Sequence, residues 1–387
     1  MSGYAKRGFD KYIVDQQVKF YKIFKRDVLP VLPGFYTFDE IYSIFEEYYP
    51  FDLRAFEFEL NGYRHQDKTL SKIQHRKRYY VKSPKKYLEC GRGFEYALSP
   101  KFISARAETI EENNRKVQKE KFVEKRNKAN AKMQIKINKA QNLAQEMEPE
   151  FLDKLTGLYL KKTSTQKDRV YILHELYKYD CKKVTDFLQR EMNAQQNFQL
   201  REMVMKHLQD YGYSPKLKRK DAIPFHTKNK KKREKIKQYR NERFDISGIP
   251  EELSYLIENH KSQGLKSYDY FISHSYLDHD EVQKLIKCLN RDDINVYCDW
   301  ISDRDYLKRF LVCEDTLKVI RKRIDISKAV LFADSENSRK SMWVAYELQY
   351  AEKTHKPIYT VGFDGMKEIN ELKDYWFRDI RVEKVPL

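Results

Sequence analysis

The chain has 387 residues, 41% of them hydrophobic and 14% aromatic with 29 tyrosines, a composition that suits two or three packed domains and excludes extensive disorder. No run of 18 apolar residues occurs, and the opening MSGYAKRGFDKY lacks the apolar stretch of a secretory leader, so a cytosolic protein with no membrane partner is expected. Cys90, Cys181, Cys288, Cys298 and Cys313 are scattered without a C-x-x-C pair, which argues against a metal centre and a disulfide framework, while the net charge of +18 favours contact with polyanions.

Residues 1–100 read as an α+β module. In YTFDEIYSIFEEYYP, Thr37 stands three residues before Glu40 as in a capping box, ahead of Ile41, Ile44 and Phe45 at helical spacing. Pro50 closes that helix, and a second is expected from Phe51 to Tyr63, with Leu53, Phe56 and Leu60 on one stripe and Gly62 near its end. Arg78 to Leu98 reads as a β-hairpin with aromatic strands, turning near Lys82–Lys86 or Cys90–Gly93. Two helices and a basic hairpin make the outline of a winged helix; a plain α+β protein-interaction module is the alternative.

Residues 101–149 are nearly free of Gly and Pro, and Ile110, Val117, Phe122, Met133, Ile135 and Ile137 are too sparse for a heptad seam. A long, exposed, charged helix is expected. Residues 150–213 carry amphipathic runs, with Val170, Leu173, Leu176 and Tyr177 on one stripe, and read as a small domain of helical hairpins. Residues 214–266 form a basic linker, in which thirteen Lys or Arg face three acids between Lys216 and Arg243. Lys228, Lys230, Lys231, Lys232 and Arg233 are its candidate contacts with a nucleic acid or nucleoprotein activator, the alternative being a solvated basic connector. A short helix is expected to start at Ile249-Pro250-Glu251.

From residue 267 to 387 the pattern changes to alternating strands and helices, the mark of a parallel sheet with crossover helices and an α/β, flavodoxin-like fold. Strands are expected at Tyr268–Ser273, Asn295–Asp299, Ala329–Ala333 and Pro357–Val361, with helices over Asp280–Asn290, Val312–Ile326 and Ser341–His355. Ligands of such sheets bind beyond the carboxyl ends of the strands. The polar groups that follow each strand, Ser273-His274, Asp299-Trp300 and Asp334 to Asn337, should gather there. No G-x-G-x-x-G or G-x-x-x-x-G-K loop is present, which excludes a Rossmann oxidoreductase and a P-loop hydrolase.

The segments YDYFISHSYLDHDEV, NVYCDW, ISKAVLFADSENSRKSMWVAYELQYA and KPIYTV together resemble, in order and spacing, the Toll/interleukin-1 receptor (TIR) family over about 120 residues. The family includes receptor scaffolds and NAD⁺-cleaving enzymes. In the enzymes a glutamate lies on a helix with an S-x-W-x-x-x-E-L pattern, matched here by Ser341, Trp343, Glu347 and Leu348. The resemblance implies Glu347 as the catalytic carboxylate and Phe271, Ser273, Asp299, Trp300 and Trp343 as substrate-binding residues. It also implies NAD⁺ as substrate rather than bound cofactor, self-association through the TIR domain, and a place among anti-phage defence effectors. The stretch DWISDRDYLKR lacks the R-D-x-x-P-G pattern of the receptor and adaptor members. A non-catalytic scaffold, or a nucleic-acid binder using the TIR domain for assembly, remain the alternatives. One carboxylate suits this chemistry because the nicotinamide leaves as a neutral ring and needs no acid to protonate it, unlike an ordinary sugar leaving group. The phosphates of such a substrate are expected near Ser338 to Ser341, with Arg339 and Lys340 at hand.

Overall fold

The computed structural model describes residues 4–213, 215, 225, 227–308 and 311–362. The chain forms two compact units, one of residues 1–138 and 208–216 and the other of residues 139–207 and 217–387.

The first unit is helical among its described residues: α1 (Tyr4–Ile23), α2 (Phe38–Tyr48), α3 (Pro50–Gln74), α4 (Pro84–Glu89), α5 (Arg92–Ala97), α6 (Pro100–Thr109) and α7 (Glu112–Gln141), whose last turn belongs to the second unit. The Thr37–Glu40 capping box is present at the start of α2. Phe9, Phe20, Phe24, Phe45, Phe56 and Phe94 centre the core. Helix α3 continues well past Tyr63 and ends only at His75, which takes a left-handed conformation.

The β-hairpin expected over Arg78–Leu98 is replaced by α4 and α5, and with it the wing of a winged helix disappears. Two local causes can be named. The carboxylate of Asp67, buried on α3, accepts the backbone N–H groups of Arg78, Tyr79 and Tyr80 at 2.8, 2.9 and 2.8 Å, removing the donors a strand would need. Ser83 then caps α4 with Pro84 at its first position, a helix-start signal stronger than the aromatic alternation.

In the second unit α8 (Phe151–Leu160), α9 (Gln166–Leu176), α10 (Lys182–Ala194) and α11 (Phe198–Asp210) precede α12 (Lys230–Asn241) and α13 (Pro250–Asn259). The end of α11 passes into the first unit. Much of the segment expected as a basic linker is therefore helical; residues 214, 216–224 and 226 lie outside the described residues.

The described strands β1 (Tyr268–Ser273), β2 (Val296–Tyr297), β3 (Ser327–Asp334) and β4 (Ile358–Gly362) form one parallel sheet in the order β2-β1-β3-β4. The helices around it are α14 (His279–Arg291), α15 (Asp299–Ser302), α16 (Glu314–Asp325), α17 (Glu336–Arg339) and α18 (Met342–Lys353). Alternation along β1 sends Ile272 to one face, with Val282, Leu285 and Leu289 of α14. It sends Phe271 to the other, with Ile320 and Ile324 of α16 and Val344 and Leu348 of α18. Strand β2 is shorter than expected because Cys298 already serves as N-cap of α15. No described helix is long and apolar enough to cross a membrane.

The helical segment before the sheet is built into the same unit. The side chain of Gln145 donates to the carbonyl of Val296 at 2.8 Å and accepts from the Val296 N–H at 3.1 Å. Its own backbone N–H donates to Lys178 O, and its carbonyl accepts from Asp180 N, both at 2.8 Å. A single amide thus pairs with β2 as a neighbouring strand would.

Candidate active site

Helix α18 places Val344, Leu348 and Ala351 on the sheet and leaves Glu347 on a neighbouring stripe. From there the carboxyl reaches the end of β1, where Ser273 Oγ–H donates to Glu347 Oε2 at 2.6 Å. Ser273 is fully buried as the last residue of β1. Glu347 as a residue keeps partial exposure, but its carboxyl is enclosed, and burial pushes its pKa up to about 8. The Ser273 hydrogen bond opposes that rise, and the negative charge of Asp299 adds to it. Among the described residues no lysine, arginine or histidine forms an ion pair with Glu347. The group is therefore an acid kept neutral by its surroundings near pH 7.

Opposite this pair lies the short helix α15. The Trp300 indole N–H donates to His274 Nε2 at 3.1 Å, and His274 Nδ1 lies 3.1 Å from the carbonyl of Ile272. Together these contacts assign the neutral imidazole with its proton on Nδ1. His279 packs edge-on against Trp300 with ring centres 4.2 Å apart. Asp299 is exposed, and its Oδ1 accepts the backbone N–H of Trp300 at 2.8 Å. His274 Nε2, Cys298 Sγ and Asp299 Oδ1 lie 3.8 to 4.0 Å from one another, but a cation there would have to displace the indole from the ring nitrogen it needs.

The expected site residues separate on the structure. Glu347, Ser273, Asp299 and Trp300 converge at the carboxyl ends of β1 and β2. Phe271 does not join them: it is 2% exposed in the sheet core and stacks on Tyr297 at 5.0 Å. Its neighbour Ile272 faces the opposite layer, so a residue between two strand-core positions has no way out to a crevice. Trp343, the second residue of α18, remains 36% exposed. Tyr350, one turn beyond Glu347, turns to α16, where its hydroxyl donates to Asp325 at 3.0 Å. Of the proposed phosphate contacts, Arg339 holds Asp334 through two hydrogen bonds of 2.7 and 2.6 Å, and Lys340 pairs with Glu336. A phosphate would have to compete with both carboxylates. Lys228 and the α12 residues Lys230, Lys231, Lys232 and Arg233 are exposed.

Sequence reasoning misses two tethers. Asp278, after β1, accepts hydrogen bonds from Ser335 Oγ at 2.5 Å and Asn337 Nδ2 at 2.6 Å, joining the loops that follow β1 and β3. Nothing in the local sequence pairs residues so far apart. His274 is expected at the strand ends, but its pairing with the Trp300 indole is missed for a similar reason, since that ring comes from another strand's loop.

A parallel sheet with helices on both faces and a carboxyl enclosed beyond its strand ends defines an α/β domain of the kind that binds ligands at that edge. Residues 271–384 match the TIR domain family. Over 368 residues the chain is 32% identical to TIR2 of Cytobacillus dafuensis, provisionally named a cyclic ADP-D-ribose synthase, covering 95% of this chain and 94% of that protein. Over 103 residues it is 37% identical to ThsB′ of Bacillus cereus (strain MSX-D12), provisionally named a 3′ cyclic ADP-D-ribose synthase, covering 27% of this chain and 47% of that protein. No solved structure matches at a significant level. The chain belongs to the TIR-domain family, and its likeness to TIR2 takes in the helical region as well as the TIR domain.

Proposed function

We propose that the protein cleaves NAD⁺ between nicotinamide and ribose, with Glu347 as the catalytic carboxylate, and closes the ADP-ribosyl group into a cyclic product. The observation that carries this reading is the enclosed Glu347 carboxyl, held by Ser273 and free of an ion pair among the described residues. A buried, unneutralised acid costs stability and is the kind of group that a cationic substrate turns to use. The names of TIR2 and ThsB′ support the cyclic outcome.

The substrate brings a pyridinium cation, which favours the ionised form of Glu347. The C–N bond then breaks with its electron pair on the nicotinamide nitrogen, leaving a neutral base and a ribosyl cation. The carboxylate stabilises that cation across a partly desolvated gap, where charge interactions are strong. A hydroxyl of the same dinucleotide attacks for the cyclic product, or water for the linear one, and the proton it loses passes to Glu347. Burial sets the acidity of the carboxyl, with Ser273 opposing the rise and Asp299 adding to it, and Trp300 supplies a ring at the mouth of the site.

As part of the same reading, the enzyme is a defence effector held at low activity and switched on by assembly of copies through the TIR domain. The half-exposed Trp343 beside Met342 on α18 supports an assembly surface, and the exposed cations of α12 support a polyanionic activator. The test is release of nicotinamide from NAD⁺ by the full chain, compared with Glu347→Ala. Absence of turnover in dilute and assembled protein alike would leave a TIR scaffold as the better reading.

A further inference from the structure

The turn after α15 is held by the helical segment upstream of the TIR sheet at three successive residues. Asp303 is fully buried and accepts from Arg323 of α16 at 2.8 and 3.0 Å. Lys178, at the end of α9, lies 3.8 Å from the same carboxylate, and Lys266 lies 3.9 Å from it. Glu175 of α9 links these cations, 3.0 Å from Lys178 and 2.5 Å from Lys266, and Gln263 bridges Glu175 to Arg323 at 2.9 and 2.8 Å. Next in the chain, Arg304 donates to the carbonyl of Leu143 at 2.7 Å. The third residue, Asp305, lies 3.1 Å from His174 Nδ1 of α9.

Helix α15 is a single turn, too short to keep its own place. Its backbone runs directly into this anchor, since Asp303 N–H donates to Asp299 O at 2.9 Å. Asp299, whose charge acts on Glu347, and Trp300, whose indole donates to His274 beside Ser273, sit on that same turn. A network of five nearly inaccessible ions and one amide has well-defined geometry, because each loose partner would leave a buried ion unmatched.

We propose that Asp303, Arg304 and Asp305 are positioning residues through which α9 and the Leu143 segment hold α15, and with it Asp299 and Trp300, against Glu347. The upstream helices are then part of the active site's support. A change in them reaches the chemistry without touching the TIR sheet. The catalytic consequence rests on the NAD⁺-cleaving reading; the mechanical one does not.

The experiment uses the full chain and the double variant His174→Gln/Arg304→Gln, both at partly exposed positions where folding should survive. Hydrogen–deuterium exchange is measured on peptides covering residues 298–307 and, as a control, 279–291. Alongside it, kcat, KM and the pH profile of nicotinamide release are recorded. The expected result is faster exchange by about fivefold in 298–307 with 279–291 unchanged, a fall in kcat of about tenfold with a smaller change in KM, and a displaced pH limb. Asp305→Glu, which retains the carboxylate, should keep most of the activity. Unchanged exchange in 298–307 would overturn the proposal, as would faster exchange there with kcat and the pH limb both intact. A wild-type enzyme with no turnover counts against the NAD⁺ reading alone, and exchange by itself then decides whether the anchor holds α15.

Discussion

Ser273 and Glu347 stand 74 residues apart in the chain and 2.6 Å apart in the fold, the hydroxyl at the end of β1 bonded to the carboxyl on α18. The pair unites a sheet position with a helix position, and the pKa of about 8 at Glu347 follows from the enclosure they share.

Replacing Glu347 by Gln should reduce nicotinamide release by about 10² to 10³-fold, the usual cost of losing one preorganised charge-stabilising group. It should also stabilise the fold in alkaline solution. The folded pKa of about 8 lies above the ordinary value of 4.5, so the folded protein keeps a proton that the unfolded chain sheds in that interval. Stability linked to this group is full below pH 4.5 and is lost as the pH climbs to about 8. Allowing for partial exposure, the loss is on the order of 2 to 3 kcal/mol. Thermal unfolding should therefore show the variant melting above the wild type at pH 8.5 and level with it at pH 5.

The pH dependence of turnover carries a second expectation. Catalysis needs the ionised carboxyl, so kcat/KM should rise with pH through a limb near 8, set by the free enzyme. The limb of kcat should lie lower, because the bound pyridinium favours the anion. Calorimetry of binding near pH 7 in buffers of different ionisation enthalpy should then detect release of a proton. Coincident limbs with no proton released would remove the role given to the substrate's charge.

Ser273→Ala removes the hydrogen bond that opposes the rise in the Glu347 pKa. The kcat/KM limb should move upward and activity at pH 7 should drop by about tenfold, with recovery at high pH. A uniform drop at every pH would instead point to loss of shape at the site.

Arg323→Met leaves the buried Asp303 carboxylate facing only the two lysines at 3.8 and 3.9 Å. Such a broken buried pair costs about 3 to 5 kcal/mol. Denaturant unfolding should register that loss, and Arg323→Met/Asp303→Asn should regain part of it.

Charge reversal at Lys230, Lys231 and Lys232 alters an exposed helix face, so stability should change by no more than about 0.5 kcal/mol. If α12 binds a nucleic acid, the slope of log affinity against log salt should flatten by about 0.7 to 0.9 for each phosphate no longer neutralised. An unaltered slope would leave these lysines as a solvated surface.

Much of this architecture can be read from residue order because it rests on local signals. The Thr37–Glu40 box starts α2 as expected, and the short apolar runs YFI and AVLFA mark β1 and β3. Glu347 is legible only through resemblance, since nothing near it in the chain indicates that Ser273 will meet it. The hairpin reading of residues 78–98 fails because a carboxylate on α3 captures three backbone donors and the Ser83-Pro84 start signal outweighs the aromatic alternation. The charged anchor at Asp303 is invisible for a deeper reason: Lys178, Lys266 and Arg323 look like surface residues in any composition-based reading.

The amide of Gln145 has a consequence for how copies can join. By filling the open hydrogen-bonding positions of Val296, it blunts that rim of the sheet against the addition of a foreign strand. Copies meeting at this rim would join through helices and loops, with no continuous ribbon of strands crossing the seam at β2.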